Sequence, residues 1–340
     1  MQYPPSPPTR QKLARRPQQD AIVQEPFERL DEHAEDFAAK ADAEGTVDTY
    51  TLRLKRFVQW CKARGAKPLP CTPQTLARYL TDRARNGGRH GQGVKPATIS
   101  VELAAIAWSH TQAGIAVEAL PHRHPLVWKI WRGIRRDKGQ PPRRVAPLVL
   151  EDLLPIVRAL PDTLIARRDR SLLLLGFTAA LRRSEIVALE VRDVTFTRSS
   201  MRVLIRRAKR DQEGHGAVIA VHYGQHRETC PAVALREWLR AADITDGLIF
   251  RGLARGKLGK ALGDRAVARI VQRHVAAAGL DPAMFAGHSL RAGMASEAAR
   301  QGKDDRRIMA QGRWSRAMVD RYVRGARIDD EHNATAGLGY

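Results

Sequence analysis

Arg182 stands in Ala180-Leu181-Arg182-Arg183-Ser184-Glu185, and Lys209 in a basic run that opens at Arg206. His288 and Arg291 share the stretch His288-Ser289-Leu290-Arg291, and Tyr322 closes Val319-Asp320-Arg321-Tyr322. These side chains are a nucleophile, two permanent cations and two groups able to carry a proton. Such a set suits metal-free attack on a phosphodiester. The phenol attacks, the guanidinium groups hold the phosphorane charge, and the histidine and lysine move protons.

Each residue also has an ordinary structural reading. Arg182 and Glu185 are three apart and would share a helical face, either as a surface ion pair or with the carboxylate orienting the guanidinium toward a phosphate. His288 and Arg291 have the same spacing at a helix start, so both would reach one point beside an end that favours phosphate. Lys209 can give a proton to a departing alkoxide, whereas Arg206, Arg207 and Arg210 around it are phosphate clamps but poor acids. A free phenol is barely ionised at neutral pH, so Tyr322 needs a cationic pocket or a base. Alone, it reads as an amphipathic tyrosine packed with Val323.

Helices must position most of these groups. Apolar spacing predicts a helix capped by Thr46 that carries Tyr50, Leu54, Phe57, Val58 and Cys61 on one face. Thr72-Pro73 is a cap followed by a first-turn proline. A third helix carries Ile99, Leu103 and Ile106, and a fourth Val127, Ile130, Trp131 and Ile134. Beyond about residue 147 come a helix opened by Glu151-Asp152 and a buried helix from Ser171 to Ala180. Short strands follow at Val191 to Phe196, Met201 to Ile205 and Ala217 to Val221, the last two joined by a turn through Asp211 and Gly216. Helices then cover Val233–Ala242, Arg265–Ala278, Ser289–Arg300, Arg306–Gln311 and Ala317–Arg324. The fold expected is mainly α with a small antiparallel β-sheet: a helical N-terminal domain and an α+β second domain.

The division expected is a flexible basic tail over 1–25, a helical DNA-binding domain over 26–136, a linker over 137–146, a catalytic domain over 147–326 and a tail over 327–340. Lys129 to Arg144 carries Lys129, Arg132, Arg135, Arg136, Lys138, Arg143 and Arg144 against Asp137 alone, and reads as a basic, extended stretch able to lie along phosphates. With it, the two domains would close around a duplex.

The chain of 340 residues carries a formal charge of +22, which points to a polyanionic partner. No apolar run reaches membrane-span length, and no secretory leader is expected, so the place of work is cytoplasmic, with the nucleoid. Cys61, Cys71 and Cys230 cannot all pair and have no zinc-site spacing, so they read as small apolar residues in a reducing compartment.

Gly176 to Arg324 resembles the tyrosine recombinase (phage integrase) family. Phe177 to Glu185 is similar to its first arginine box, His288 to Gly293 to its His-x-x-Arg box, and Gly312 to Tyr322 to its terminal box. Thr46 to Arg136 resembles, more weakly, its core-binding domain. The resemblance implies that Tyr322 forms a 3′-phosphotyrosine and frees a 5′-hydroxyl. It further implies that Arg182 and Arg291 stabilise the phosphorane, that Lys209 protonates the leaving oxygen and that His288 assists. No metal or cofactor is needed. The implied partners are double-stranded DNA with a specific recombination site and a homotetramer holding two duplexes through a Holliday junction.

One position departs from the pattern. The family usually has His or Trp nine residues before the tyrosine, where this chain has Arg313, with Trp314 one residue later. Either Trp314 fills the slot through a small helix shift, as a packing and hydrogen-bonding member, or Arg313 contacts the phosphate directly. Trp314 is the reading preferred on sequence. Two other functions use the same residues: a catalytically silent sequence-specific DNA-binding protein, and a type IB-like topoisomerase. A covalent complex with nicked DNA separates the first, and dependence on one DNA sequence the second.

Overall fold

The computed structural model describes residues 29, 44–88, 91–140, 145–206, 216–254 and 256–323. The two tails, Arg143, Arg144, Arg207, Lys209 and Arg210 lie outside these residues. The chain divides into two compact units, before and after the Pro141–Pro142 bond.

The first unit is built from α1 (Glu44–Lys62), α2 (Pro73–Asn86), α3 (Pro96–Gln112) and α4 (Pro125–Lys138). Thr72 caps α2, its hydroxyl accepting from the Thr75 N–H at 3.1 Å, with Pro73 in the first turn. Thr46 does not cap α1, which already begins at Glu44. Phe57, Cys61, Leu76, Tyr79, Leu80, Ile99, Ile106, Val127 and Trp131 form the core, while Val58, expected on the same face as Phe57, is exposed. Within the core lies Glu102, fully buried. It accepts from Arg83 Nε and Nη2 at 2.8 Å and from Tyr79 Oη and Arg56 Nη1 at 3.1 Å. These bonds compensate a carboxylate that burial would otherwise heavily penalise.

The expected extended stretch from Lys129 is corrected by α4, which stays helical to Lys138. Trp131 and Ile134 keep its apolar face on the core, so helix periodicity overrides the charge run. Arg135 and Arg136 therefore stand exposed on a last helical turn, where cations favour the carbonyl end.

The second unit opens with a lead-in bonded across the fold. Ala146 N–H donates to the Met284 carbonyl at 2.7 Å and Leu148 N–H to the Ser289 carbonyl at 3.0 Å. Its helices are α5 (Leu150–Arg158), α6 (Leu164–Thr178), α7 (Arg183–Ala188), α8 (Pro231–Ala241), α9 (Asp264–Ala277), α10 (Ser289–Arg300), α11 (Asp305–Gly312) and α12 (Arg316–Val323). Helix α6 starts earlier than its apolar run suggests, because Thr163 caps it by accepting from the Ala166 N–H at 3.3 Å. Buried Asp169 then ties α6 to α9, its carboxylate 2.8 Å from His274 Nε2 and 2.7 Å from Arg168 Nη2.

An antiparallel sheet runs in the order β1 (Val194–Phe196), β2 (Ser200–Ile205), β3 (Ala217–His222). Val203 pairs with Ile219 and Met201 with Val221, all buried, while the alternate pair Leu204 and Val218 faces out. Val191–Asp193, expected as strand, is a 3-10 turn closed by Asp193 accepting from the Glu190 N–H at 2.9 Å. A second hairpin, β4 (Arg251–Ala254) with β5 (Lys257–Ala261), is absent from the sequence reading. Its glycines and lack of alternating branched residues leave no strand signal.

Candidate active site

The site is assembled from three turns of the second unit. The first follows α6. Ala180 has a left-handed backbone, φ 47°, which ends the helix and turns the chain into Leu181 and Arg182. Arg182 stands just ahead of α7 rather than on its face. Its N–H donates to Glu185 Oε2 at 2.8 Å and its Nη1 to Glu185 Oε1 at 2.5 Å. One buried carboxylate thus caps the helix and fixes the guanidinium.

The second turn begins α10. Arg291 is one of the largest fully enclosed side chains, 2% exposed. It donates through Nη1 to the Ala180 carbonyl and through Nη2 to the Gly312 carbonyl. His288, three residues earlier, is exposed at the start of the helix. The two side chains thus differ in direction, Arg291 turned inward and His288 at the surface.

The third turn is Gly312-Arg313-Trp314 between α11 and α12. Arg313 takes left-handed dihedrals, φ 52° and ψ 50°, so the chain doubles back. Trp314 then folds against Gly312, where a Cβ would lie 1.9 Å from the indole. Only glycine admits that approach. The Trp314 ring lies under the Arg291 guanidinium, 4.4 Å from carbon to centroid, and 5.1 Å from the Tyr322 ring. The same turn sends Arg313 the other way, its Nη2 donating to Glu185 Oε2 at 2.6 Å and to the Ala180 carbonyl at 3.3 Å.

Arg313 therefore shares the Glu185 carboxylate with Arg182 and the Ala180 carbonyl with Arg291, which gathers three guanidinium groups in one place. Burial pushes the Arg291 guanidinium down to about 9, and the Arg182 and Arg313 charges push the same way against Glu185 and Tyr322. Burial also lowers Arg313, with Glu185 opposing and Arg182 adding. An anion placed among them would relieve that repulsion.

Tyr322 lies on α12, partly buried, and its carbonyl accepts from Ser296 Oγ of α10 at 3.2 Å. This bond joins the helix of Tyr322 to the helix of Arg291. Arg206, read on sequence as a phosphate clamp, is committed elsewhere. Its Nε and Nη2 donate to Asp193 at 2.6 and 2.8 Å and its Nη1 to Glu190 at 3.2 Å. It anchors the end of β2, at the edge of a cleft of about 630 Å³ that reaches Glu185.

Residues 147–327 match the profile of the phage integrase family. The chain belongs to the phage integrase family. The matched span contains all three turns of the site. The chain is 36% identical over 305 residues to an integrase/recombinase XerD homolog of Selenomonas ruminantium, across 88% of this chain and 87% of that protein. Its fold is similar to that of a lambda integrase fragment, residues 75–356, solved as a dimer bound to a COC′ core site. The identity is 19%, the TM-score 0.55, and 88% of this chain and 95% of that one are covered. It is also similar to the Tn1549 transposon integrase in complex with transposon right end DNA, at 14% identity and a TM-score of 0.56, over 85% and 92% of the two chains. The structure adds two features that sequence reading missed: the Ala180 carbonyl as a common acceptor, and Gly312 as the seat of Trp314. A small residue just ahead of Arg182 and a glycine two residues before an aromatic were the available signals.

Proposed function

We infer that the chain is a tyrosine site-specific recombinase that cuts and rejoins DNA. The observation that carries this is the stack of Arg291, Trp314 and Tyr322, with Arg182 held by Glu185 beside it. It puts the nucleophile's ring and two arginines in one neighbourhood. In the proposed step, Tyr322 Oη forms a bond to phosphorus and the bond from phosphorus to the 5′-oxygen breaks. Arg182 and Arg291 carry the phosphorane charge. His288 assists the transfer of the phenolic proton, and Lys209 protonates the 5′-oxygen. Attack by a 5′-hydroxyl of a second strand reverses the step and releases Tyr322. Because the phosphoester energy stays in the phosphotyrosine link, no external energy source is required.

The acting form in this reading is a homotetramer on two duplexes, exchanging strands through a Holliday junction at a specific site. Arg135, Arg136, Arg143 and Arg144 track phosphates, as do Arg207 and Arg210. The test is a nicked duplex carrying the target site. The parent protein should become covalently attached in a form stable to denaturant. Tyr322→Phe should bind the duplex within a few-fold of the parent and form no adduct. An adduct in that variant would assign the nucleophile to another residue.

A further inference from the structure

Arg313 has donors to spare. Only its Nη2 is engaged, with Glu185 and the Ala180 carbonyl. Its Nε and Nη1 are shielded from solvent and have no hydrogen-bond partner. Its side chain is only 10% exposed. Among the described residues of the second unit, no other guanidinium has buried N–H groups left unpartnered. Such orphaned donors are rare in folded proteins, and each calls for a physical explanation. Here they lie on the side chain that shares Glu185 with Arg182 and the Ala180 carbonyl with Arg291.

We propose that Arg313 is a third phosphate-holding arginine, one of whose two unpartnered donors, Nε or Nη1, reaches an oxygen of the scissile phosphate beside Arg182 and Arg291. This rests on the recombinase reading and goes beyond it. The position that the family usually fills with His or Trp becomes, in this chain, a permanent cation. Trp314 does not take that slot: it is the floor beneath Arg291 and Tyr322, and the left-handed turn at Arg313 separates the two tasks. Glu185 spaces Arg182 and Arg313 in the ground state. As negative charge grows on the phosphoryl oxygens, one unpartnered donor of Arg313 turns to them while Nη2 keeps its carboxylate. A guanidinium can donate to a carboxylate and a phosphate at once, which an indole with its single N–H cannot do.

The experiment compares single-turnover cleavage by the parent, Arg313→Ala and Arg313→Gln on two substrates: the ordinary phosphodiester, and a methylphosphonate at the scissile position, which lacks one charged oxygen. Arg313→Gln keeps a donor for Glu185 and loses the charge, so it reports if Arg313→Ala fails to fold. On the phosphodiester, loss of the cation should slow cleavage roughly 100-fold or more, with duplex affinity changed far less. On the methylphosphonate, the gap between variant and parent should narrow at least about tenfold, because less charge needs holding. Parental cleavage rates in both variants would overturn the proposal. So would a gap that fails to narrow on the neutral substrate, including no cleavage of it by any of the proteins. That result would make Arg313 a positioning residue acting through Glu185. Failure of the recombinase reading looks different, since the parent itself would then form no Tyr322 adduct on the phosphodiester.

Discussion

The guanidinium of Arg291 rests on the indole of Trp314, 4.4 Å from its centroid, and that indole is the aromatic neighbour of Tyr322. The Arg291 guanidinium and the Tyr322 ring thus share one floor. Removing the floor should disturb both. Trp314→Ala should destabilise the second unit by about 3–5 kcal/mol, from lost burial and the cavity left. It should also abolish adduct formation at temperatures where the protein is still folded. Trp314→Phe keeps a ring under Arg291 and should retain a measurable fraction of the rate. Thermal melts and adduct yield on a nicked duplex check this; equal activity in all three proteins would deny Trp314 its role.

Ala180 is a fully buried alanine in a conformation that alanine resists. The left-handed backbone costs about 1–2 kcal/mol for a residue with a Cβ. Ala180→Gly removes that strain while adding unfolded-state entropy, so stability should hold or rise by up to about 1 kcal/mol. Activity should persist, because the carbonyl that receives Arg291 and Arg313 stays in place. Ala180→Val should cost more than about 1 kcal/mol through strain and overpacking, and should slow cleavage by moving that carbonyl. Melting temperature and cleavage rate, measured together, test the pair.

Glu102 makes the first unit sensitive to acid. Burial alone would raise its carboxyl, but hydrogen bonds from Arg83, Tyr79 and Arg56, with the Arg83 charge, hold it below the ordinary carboxylate range. The folded value is depressed, so the stabilisation is complete above the ordinary range and is lost as pH falls through the lowered value. Glu102→Gln should lose about 3–5 kcal/mol at neutral pH, because Arg83 remains buried without its counter-charge. As pH falls through that lowered value, the variant and the parent should converge. Melts of the full chain from pH 3 to 7 decide this, and parallel curves would remove Glu102 as the acid-labile group.

The cations at the end of α4 and beyond it should act on DNA without reading it. Replacing Arg135, Arg136, Arg143 and Arg144 together by Gln should weaken binding to all sequences alike. It should also flatten the salt dependence of the binding constant by about one unit of log–log slope per lost contact. Preference for the target site over random DNA should be nearly unchanged. Titrations at several salt concentrations measure both quantities. Lost preference with an unchanged slope would make these arginines base readers.

The chemistry was legible in the sequence because phosphoryl transfer demands particular side chains, and Arg182, Arg291 and Tyr322 sit in short runs with few substitutes. Helices were legible through caps and apolar spacing, as at Thr72-Pro73. Three things were not. The division of labour between Arg313 and Trp314 depends on one left-handed residue, which no side-chain pattern announces. The engagement of Arg206 depends on Glu190 and Asp193, brought to it by the fold of β1 onto β2. The hairpin of β4 and β5 is held by backbone pairing, with too few large side chains to leave a period-two trace.

The lead-in to the second unit gains a meaning from where it is fastened. Leu148 is bonded to Ser289, and Gly293 faces its carbonyl so closely that a Cβ there would lie 1.9 Å away. Arg291 lies between those two attachment points on the same helix. The start of the second unit is therefore pinned to the helix of Arg291 on both sides of that residue. Among the described residues, the helix that carries the buried Arg291 also holds the beginning of its own unit in place.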